Sequence, residues 1–295
     1  MLMAHRSGFV NIIGNPNVGK STIMNKMVGE KISIITSKSQ TTRHRILGIV
    51  NGEDFQVVYS DTPGIIKPAY RLQENMMSFV GTAMEDADVI VYVTDVVEKF
   101  MKNEQYVERL KETDTPVLVV VNKIDLSNQE EVTELMQRWK ETLPNAEVLP
   151  MSALKEHNLE RLLTEILDRL PENPAFFPKD QLTDRTERFI VSEIVREKIL
   201  IKYKQEIPYS VEVVVESFKE EETIIRIEAT IFVARDSQKG ILIGRKGAAL
   251  KKVGQMARAD AEDFFGKQVY LGLYVKVKKD WRNDDRMLRQ FGYQG

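Results

Sequence analysis

One stretch near the N-terminus, Gly14-Asn15-Pro16-Asn17-Val18-Gly19-Lys20-Ser21, restricts this chain more than any other. It follows an apolar run, Phe9-Val10-Asn11-Ile12-Ile13, that reads as a buried strand. It precedes residues 22–28, where Ile23, Met24 and Met27 recur at helical spacing. The two glycines let the backbone curl so that successive N–H groups point into one concavity at a helix N-terminus, and such a nest holds anionic phosphate. Asn15, Pro16, Asn17, Val18, Gly19, Lys20, Ser21 and Thr22 are therefore expected around phosphates. Lys20 would reach the terminal ones and the Ser21 hydroxyl would ligate Mg²⁺.

Strand and helix patterns alternate through the first half, which predicts a mostly parallel sheet covered on both faces. Strands are expected at 46–50, 55–60, 89–94, 117–121 and 148–149, with Asn51-Gly52 as a hairpin turn between the first two. Residues 31–45 are polar, lack either period and read as a long functional loop. Pro171, Pro174 and Pro178 then rule out helix or central strand and mark a stiff linker. The expected division is an α/β phosphate-binding domain over 1–172, a linker over 173–183 and a smaller α+β domain over 184–295.

Three further motifs stand at predicted strand ends. Asp61-Thr62-Pro63-Gly64 supplies a carboxylate that would hold Mg²⁺ through its water shell, and a Gly64 N–H that could sense a γ-phosphate. Asn122-Lys123-Ile124-Asp125 selects the base. The Asp125 carboxylate can accept from guanine's ring N–H and exocyclic amine together, whereas adenine presents a lone pair at the matching ring position. Lys123 can cover the base and Asn122 can tie this loop to the phosphate loop. Ser152-Ala153-Leu154 offers a small residue whose backbone N–H could bond guanine O6. Four elements in order, each at a strand end, point to a guanine nucleotide. In the long polar loop, Thr41 and Thr42 compete for a place on Mg²⁺ and the γ-phosphate, and Thr42 is preferred.

The formal charge of −2 hides an asymmetry: residues 1–178 carry −6 and residues 179–295 carry +4. Arg235 to Arg258 holds seven basic residues and one acidic, which suggests a polyanionic partner for the second half. There Ile241-Leu242-Ile243-Gly244-Arg245-Lys246-Gly247 lies between two helical stretches, with Lys251 and Lys252 close behind. The glycines allow close approach to a phosphodiester. A groove beside Ile241 and Ile243 would take unstacked bases. The chain has no cysteine, so disulfides and thiolate metal sites are excluded and a cytosolic setting is expected. The longest apolar run, Val89 to Val93, is too short to span a bilayer, and no N-terminal signal region is expected.

The first half resembles a translation-factor-type GTPase domain. The Gly-x-x-Gly stretch, set in a helix–strand–strand–helix–helix–strand order, resembles a type II KH domain. From the phosphate loop to Trp281 and Phe291-Gly292-Tyr293, the chain resembles the bacterial Era family of ribosome-associated GTPases. The resemblance implies GTP hydrolysis to GDP with Lys20, Thr42, Gly64 and Asn17 in catalysis, and Ser21, Thr42 and Asp61 on Mg²⁺. It also implies binding to the 3′ region of small-subunit ribosomal RNA and to the assembling 30S-type subunit through residues 241–252. A monomer is expected, in the cytoplasm or peripherally at the inner membrane face. Many GTPases carry a glutamine after the Asp-x-x-Gly motif to orient water; here that residue is Ile65, so slow basal turnover is expected. In potassium-activated relatives the residue matching Asn17 ligates K⁺, and Asn17 is expected to do so here. A nucleotide-gated RNA binder without turnover, and a membrane- or protein-directed GTPase that never touches RNA, are the rival readings.

Overall fold

The computed structural model of the protein describes residues 5–293. Its chain forms two compact units: residues 5–67 with 76–184, and residues 68–75 with 185–293.

In the first, the elements run β1 Arg6–Gly14, α1 Lys20–Val28, β2 Ile46–Asn51, β3 Phe55–Asp61, α2 Arg71–Glu85 (from Met76 onward in this unit), β4 Val89–Asp95, α3 Glu104–Glu112, β5 Val117–Asn122, α4 Gln129–Thr142, β6 Glu147–Pro150 and α5 Leu159–Arg169. They build a six-stranded sheet in the order β2-β3-β1-β4-β5-β6. Only β2 is antiparallel to its neighbour; every other pairing is parallel. β4 and β5 are buried along their whole length, which explains their uninterrupted Val/Ile runs without alternation. Because β1, β3, β4 and β5 run in one direction, their carboxyl ends open along one edge of the sheet. Ligands of open α/β sheets bind outside that edge.

Two expectations change here. The hairpin turn is not Asn51-Gly52: Asn51 remains in β2, and Gly52 donates its N–H to Phe55 O (2.9 Å) around a three-residue loop. A longer loop needs no left-handed pair, so the dipeptide signal misplaced the turn by one residue. The segment 173–183 is also no free linker. The Ser7 hydroxyl donates to Pro174 O (2.5 Å), and the Gln56 side-chain oxygen accepts from the N–H groups of Phe176 and Phe177 at 2.7 and 2.9 Å. Ile49 N–H donates to Leu182 O (2.8 Å) and the Thr183 hydroxyl to Leu47 O (2.6 Å). Prolines that cannot join a ladder leave this strap extended, and its polar groups satisfy backbone groups of the edge strand β2 and the buried Gln56 side chain of β3.

The second unit contains α6 Glu187–Lys202, α7 Ile207–Ser210, β7 Val211–Glu220, β8 Ile224–Val233, α8 Asp236–Ile243, α9 Ala248–Phe265, β9 Gln268–Val277 and α10 Asp285–Gln290. β7 and β8 are antiparallel, and β9 joins β8 in parallel after the α8–α9 crossover. Ile190, Val191, Ile194, Val195 and Ile199 of α6 pack into one core with Ile225, Ile227 and Ile231 of β8 and Val253, Ala257 and Ala261 of α9. The small α9 residues let that helix lie close to the sheet. An ion pair, Arg196 with Glu193, is buried beside this core, and Lys198 joins Glu197 and Asp260, tying α6 to α9.

Candidate functional site

The loops at the carboxyl edge of the first sheet surround a cleft of about 500 Å³. Pro16, Asn17, Gly19, Lys20, Ser21 and Thr22 line one side, residues 34–38 and 40–42 of the polar loop another, and Gly64 and Lys123 complete it. Asn15, Val18, Asp61 and Asn122 are buried behind its wall, so Asn15 and Val18 can offer a ligand only backbone groups. The rest of the expected base-reading set, Asp125, Ser152, Ala153 and Leu154, lies on the loops after β5 and β6 and does not line this cleft.

At the cleft floor the α1 N-terminus delivers Lys20. Its ammonium donates to Gly14 O (3.1 Å) and Asn15 O (2.8 Å), the carbonyls of its own loop. Burial pushes this ammonium down to about 8, against the raising influence of Asp61 and Glu98. Asp61, the last residue of β3, is fully buried. Its Oδ2 accepts from the hydroxyls of Ser21 (2.6 Å), Ser33 (2.7 Å) and Thr42 (3.2 Å). Burial pushes its carboxyl up, opposed by Lys20 and these hydroxyls. Ser21 Oγ and Thr42 Oγ1 stand 3.0 Å apart, whereas Thr41 bonds Thr36 and Lys38 O within the loop.

Magnesium fits this group. The donors are all oxygen, with a single carboxylate, which suits an ion that retains several waters. The second Asp61 oxygen, Oδ1, is buried without a hydrogen-bond partner, a rare condition that a cation or its water shell would relieve.

Gly64 brings the Asp-Thr-Pro-Gly turn against the phosphate loop. A Cβ there would stand 2.7 Å from Pro16 Cα and 2.8 Å from Pro16 N, so only glycine permits the approach. The next residue, Ile65, is 1% exposed and packs with Ile13, Val80 and Tyr106 in the core. The Ile65 side chain therefore does not reach the cleft.

Asn122 joins three motifs. Its amide nitrogen donates to Val18 O (2.8 Å) and its oxygen accepts from Ala153 N–H (3.0 Å). The Ala153 N–H expected to face guanine O6 is thus engaged, because a buried amide must satisfy both ends. Leu154, next along, is exposed and its N–H has no protein partner among the described residues. Asp125 is exposed and accepts from the Ser152 hydroxyl through Oδ1. Lys123, in the left-handed region at φ 60°, carries its ammonium to Asn17 O (2.6 Å) and to buried Asp95 (2.5 Å).

Sequence reasoning missed the supporting layer. Asp95 anchors Lys123, and Ser33 reaches Asp61. Asn25 holds the start of the polar loop by accepting from Ile32 and Ser33 N–H and donating to Ser33 O. None of these residues belongs to a short motif, and a polar residue inside a helix or loop carries no signal of its own.

The second unit holds its own concavity, about 1010 Å³ between α9 and β9. Leu250, Lys251, Gly254 and Arg258 form one wall, Val269, Leu271 and Leu273 the other, and Gly247 closes one end. The turn at 244–247 is tight: Gly244 has φ 71° and a Cβ there would meet Ala249 Cβ at 2.6 Å. Arg245 and Lys246 project from it, exposed. Ile241, Ile243 and Lys252, expected to contact RNA, do not line this concavity. Helical phase is the reason for Lys252: from Gly247 onward, positions 250, 251, 254 and 258 share one stripe of α9, and 252 falls off it. Leu250, Gly254, Arg258 and the β9 side chains line this concavity without belonging to any motif read from the sequence.

Residues 9–123 match the family model described as a 50S ribosome-binding GTPase, and residues 206–282 match the KH domain model. Full-length relatives carry one common name. The chain is 45% identical to GTPase Era of Staphylococcus haemolyticus over 291 residues, 98% of this chain and 97% of that one. It is 44% identical to GTPase Era of Alkaliphilus metalliredigens over 295 residues, 99% and 100% of the two chains. A crystal structure of Era in complex with MgGDPNP and nucleotides 1506–1542 of 16S ribosomal RNA superposes with a TM-score of 0.94 at 38% identity, covering 99% of this chain and 100% of that one. A variant of Aquifex aeolicus Era bound to GDP·AlF₄⁻ gives the same TM-score and identity, over 98% and 100% of the chains. With both domains matched in order over the whole length, the chain belongs to the GTPase Era family.

Proposed function

We propose that this protein hydrolyses GTP to GDP in the cytoplasm and holds the 3′ region of small-subunit ribosomal RNA in its KH domain while that subunit assembles. The observation that carries the first part is the convergence of Ser21, Thr42 and Asp61 beside Lys20, with Asp61 Oδ1 unpartnered. The Era structure holding both MgGDPNP and 16S RNA supports the second, together with a groove of apolar floor and basic rim.

Water attacks the γ-phosphorus and GDP leaves, with no covalent intermediate. Lys20 and the N–H groups of its loop stabilise charge on the transferred phosphoryl oxygens, and the Gly64 N–H adds a donor on the far side. Mg²⁺ on Ser21 and Thr42, with Asp61 acting through its waters, would neutralise charge on the β- and γ-phosphates. Ile65 contributes anchorage rather than water activation, so basal turnover is slow. Single-turnover hydrolysis with and without ribosomal RNA tests the enzyme reading. No turnover under either condition would leave a nucleotide-gated binder. Crosslinking to cellular RNA and sequencing the bound fragments tests the RNA reading, and recovery of no small-subunit 3′ fragments would defeat it.

A monovalent cation is part of the same reading. Asn17 sits in the cleft lining with φ 68°, and its amide nitrogen lies 2.9 Å from Ser37 O. Amide oxygen and nitrogen exchange by a simple flip. After that flip Asn17 Oδ1 and the Ser37 carbonyl form a pair of oxygens suited to K⁺, which would supply positive charge near the phosphates. Exchanging potassium for sodium should slow the wild type severalfold and leave Asn17→Ala unaffected. Equal wild-type turnover in both salts removes the cation.

A further inference from the structure

The loop joining β4 to α3, residues 96–103, belongs to none of the nucleotide motifs, yet its side chains reach the back of the phosphate loop. Asn15 turns inward, 1% exposed, and donates through Nδ2 to Glu98 Oε2 at 2.7 Å. The other Glu98 oxygen accepts from the Thr94 hydroxyl at 2.7 Å, so the carboxylate is held on both sides. Asn103 Nδ2 donates to Asn15 Oδ1 and, at 3.2 Å, to Ile65 O. Ile65 N–H in turn donates to Gly14 O at 3.1 Å. The turn carrying Gly64 is thus fastened to the phosphate loop twice: directly through Gly14, and through Asn103 and Asn15, with Glu98 fixing the Asn15 rotamer.

We propose that Asn103 and Glu98, acting through Asn15, are positioning residues for GTP hydrolysis that set where the Gly64 N–H stands relative to the γ-phosphate. The inference rests on the GTPase reading above. Its physical basis is that many GTPases orient the attacking water with a side chain after the Asp-x-x-Gly motif, which buried Ile65 cannot do. Backbone placement at Gly64 then carries more of the transition-state geometry, and small displacements of a reacting group are costly. A carboxylate behind an anion site opposes phosphate binding electrostatically, so its presence there calls for a compensating role. Holding Asn15 in the one rotamer that offers Oδ1 to Asn103 is such a role.

Single-turnover hydrolysis and the affinities for GTP and GDP should be measured for wild type, Asn103→Ala, Asn103→Asp and Glu98→Gln, with the thermal midpoint of each. Asn103→Ala removes both donated bonds and should lower the hydrolysis rate about tenfold, with both affinities within about threefold of wild type. Asn103→Asp keeps the shape but sets a carboxylate against two acceptor oxygens, and should be slower than Asn103→Ala. Glu98→Gln keeps one of two accepted bonds and should fall between wild type and Asn103→Ala. A merely space-filling role predicts the opposite order, with the aspartate variant closer to wild type than the alanine variant, and that result overturns the proposal. So does an unchanged rate in all three variants, or a loss confined to nucleotide affinity. If Asn103→Ala fails to fold, Glu98→Gln decides by the same rate-against-affinity split. A wild type that does not hydrolyse GTP would defeat the parent reading instead, and the two failures are separable in one assay.

Discussion

The two sites of this protein are built in opposite ways. The nucleotide cleft is assembled from buried polar groups bonded to one another: Lys20 on its own loop carbonyls, Asp61 under three hydroxyls, Asn122 between Val18 and Ala153. The groove of the second unit is an open channel between one helix and one strand, with an apolar floor and charges such as Arg245 and Lys246 exposed nearby. In the first, the polar groups are bonded to one another apart from Asp61 Oδ1, and removing one leaves others unsatisfied in low dielectric. In the second, the charges are solvated already, and each contributes a separate, screened increment. Recognition of a single small ligand thus calls for a preformed network, whereas holding a polymer calls for many modest contacts.

The sharpest way to break this contrast lies at Asp125. Replacing it by asparagine turns a double acceptor into a group that donates and accepts, which matches xanthine better than guanine. The ratio of GTP to XTP affinity should change by roughly 10⁴-fold, and an unchanged ratio would show that the base is read elsewhere. Next in size is Lys20→Ala, which should lower kcat/KM by about 10³-fold by deleting the one charged donor on the terminal phosphates. Arg245→Ala combined with Lys246→Ala should weaken RNA binding only about tenfold. It should also flatten the dependence of log affinity on log salt by about 1.4, two single-strand phosphate contacts. Complete loss of RNA binding in that double variant would mean that the groove is as cooperative as the cleft. No change would favour a surface that does not meet RNA.

Much of the first unit was legible because its signals are local. Short motifs at strand ends mark the loops that gather at the carboxyl edge of the sheet, and uninterrupted Val/Ile runs mark strands buried on both faces. The second unit's element order was legible from alternation and helical spacing, but the concavity between α9 and β9 carried no signal of its own. A Gly-x-x-Gly stretch says where backbone can approach a chain of phosphates. It does not say which neighbouring helix faces the strand that completes the groove. The strap at 173–183 was read as a linker because prolines exclude regular structure, and that composition is silent on whether an irregular segment packs.

Two asparagines in one loop separate what each level determined. From the sequence alone, Gly14 to Ser21 is a phosphate nest, the later motifs make its ligand a guanine nucleotide, and Ile65 leaves the water without a side chain to orient it. By residue type and position Asn15 and Asn17 are alike, each a polar residue between two glycines, and only the family resemblance singles out Asn17. The folded structure parts them: Asn15 is buried against Glu98 and Asn103, while Asn17, at φ 68°, faces the cleft beside Ser37. The reason is that the left-handed backbone at Asn17 (φ 68°) turns the chain between the two side chains, and which direction is inward depends on loops some 80 residues away in the chain, Glu98 and Asn103 being 83 and 88 residues from Asn15. Motif spacing encodes the contacts a ligand imposes, and tertiary packing decides which residues hold those contacts in place.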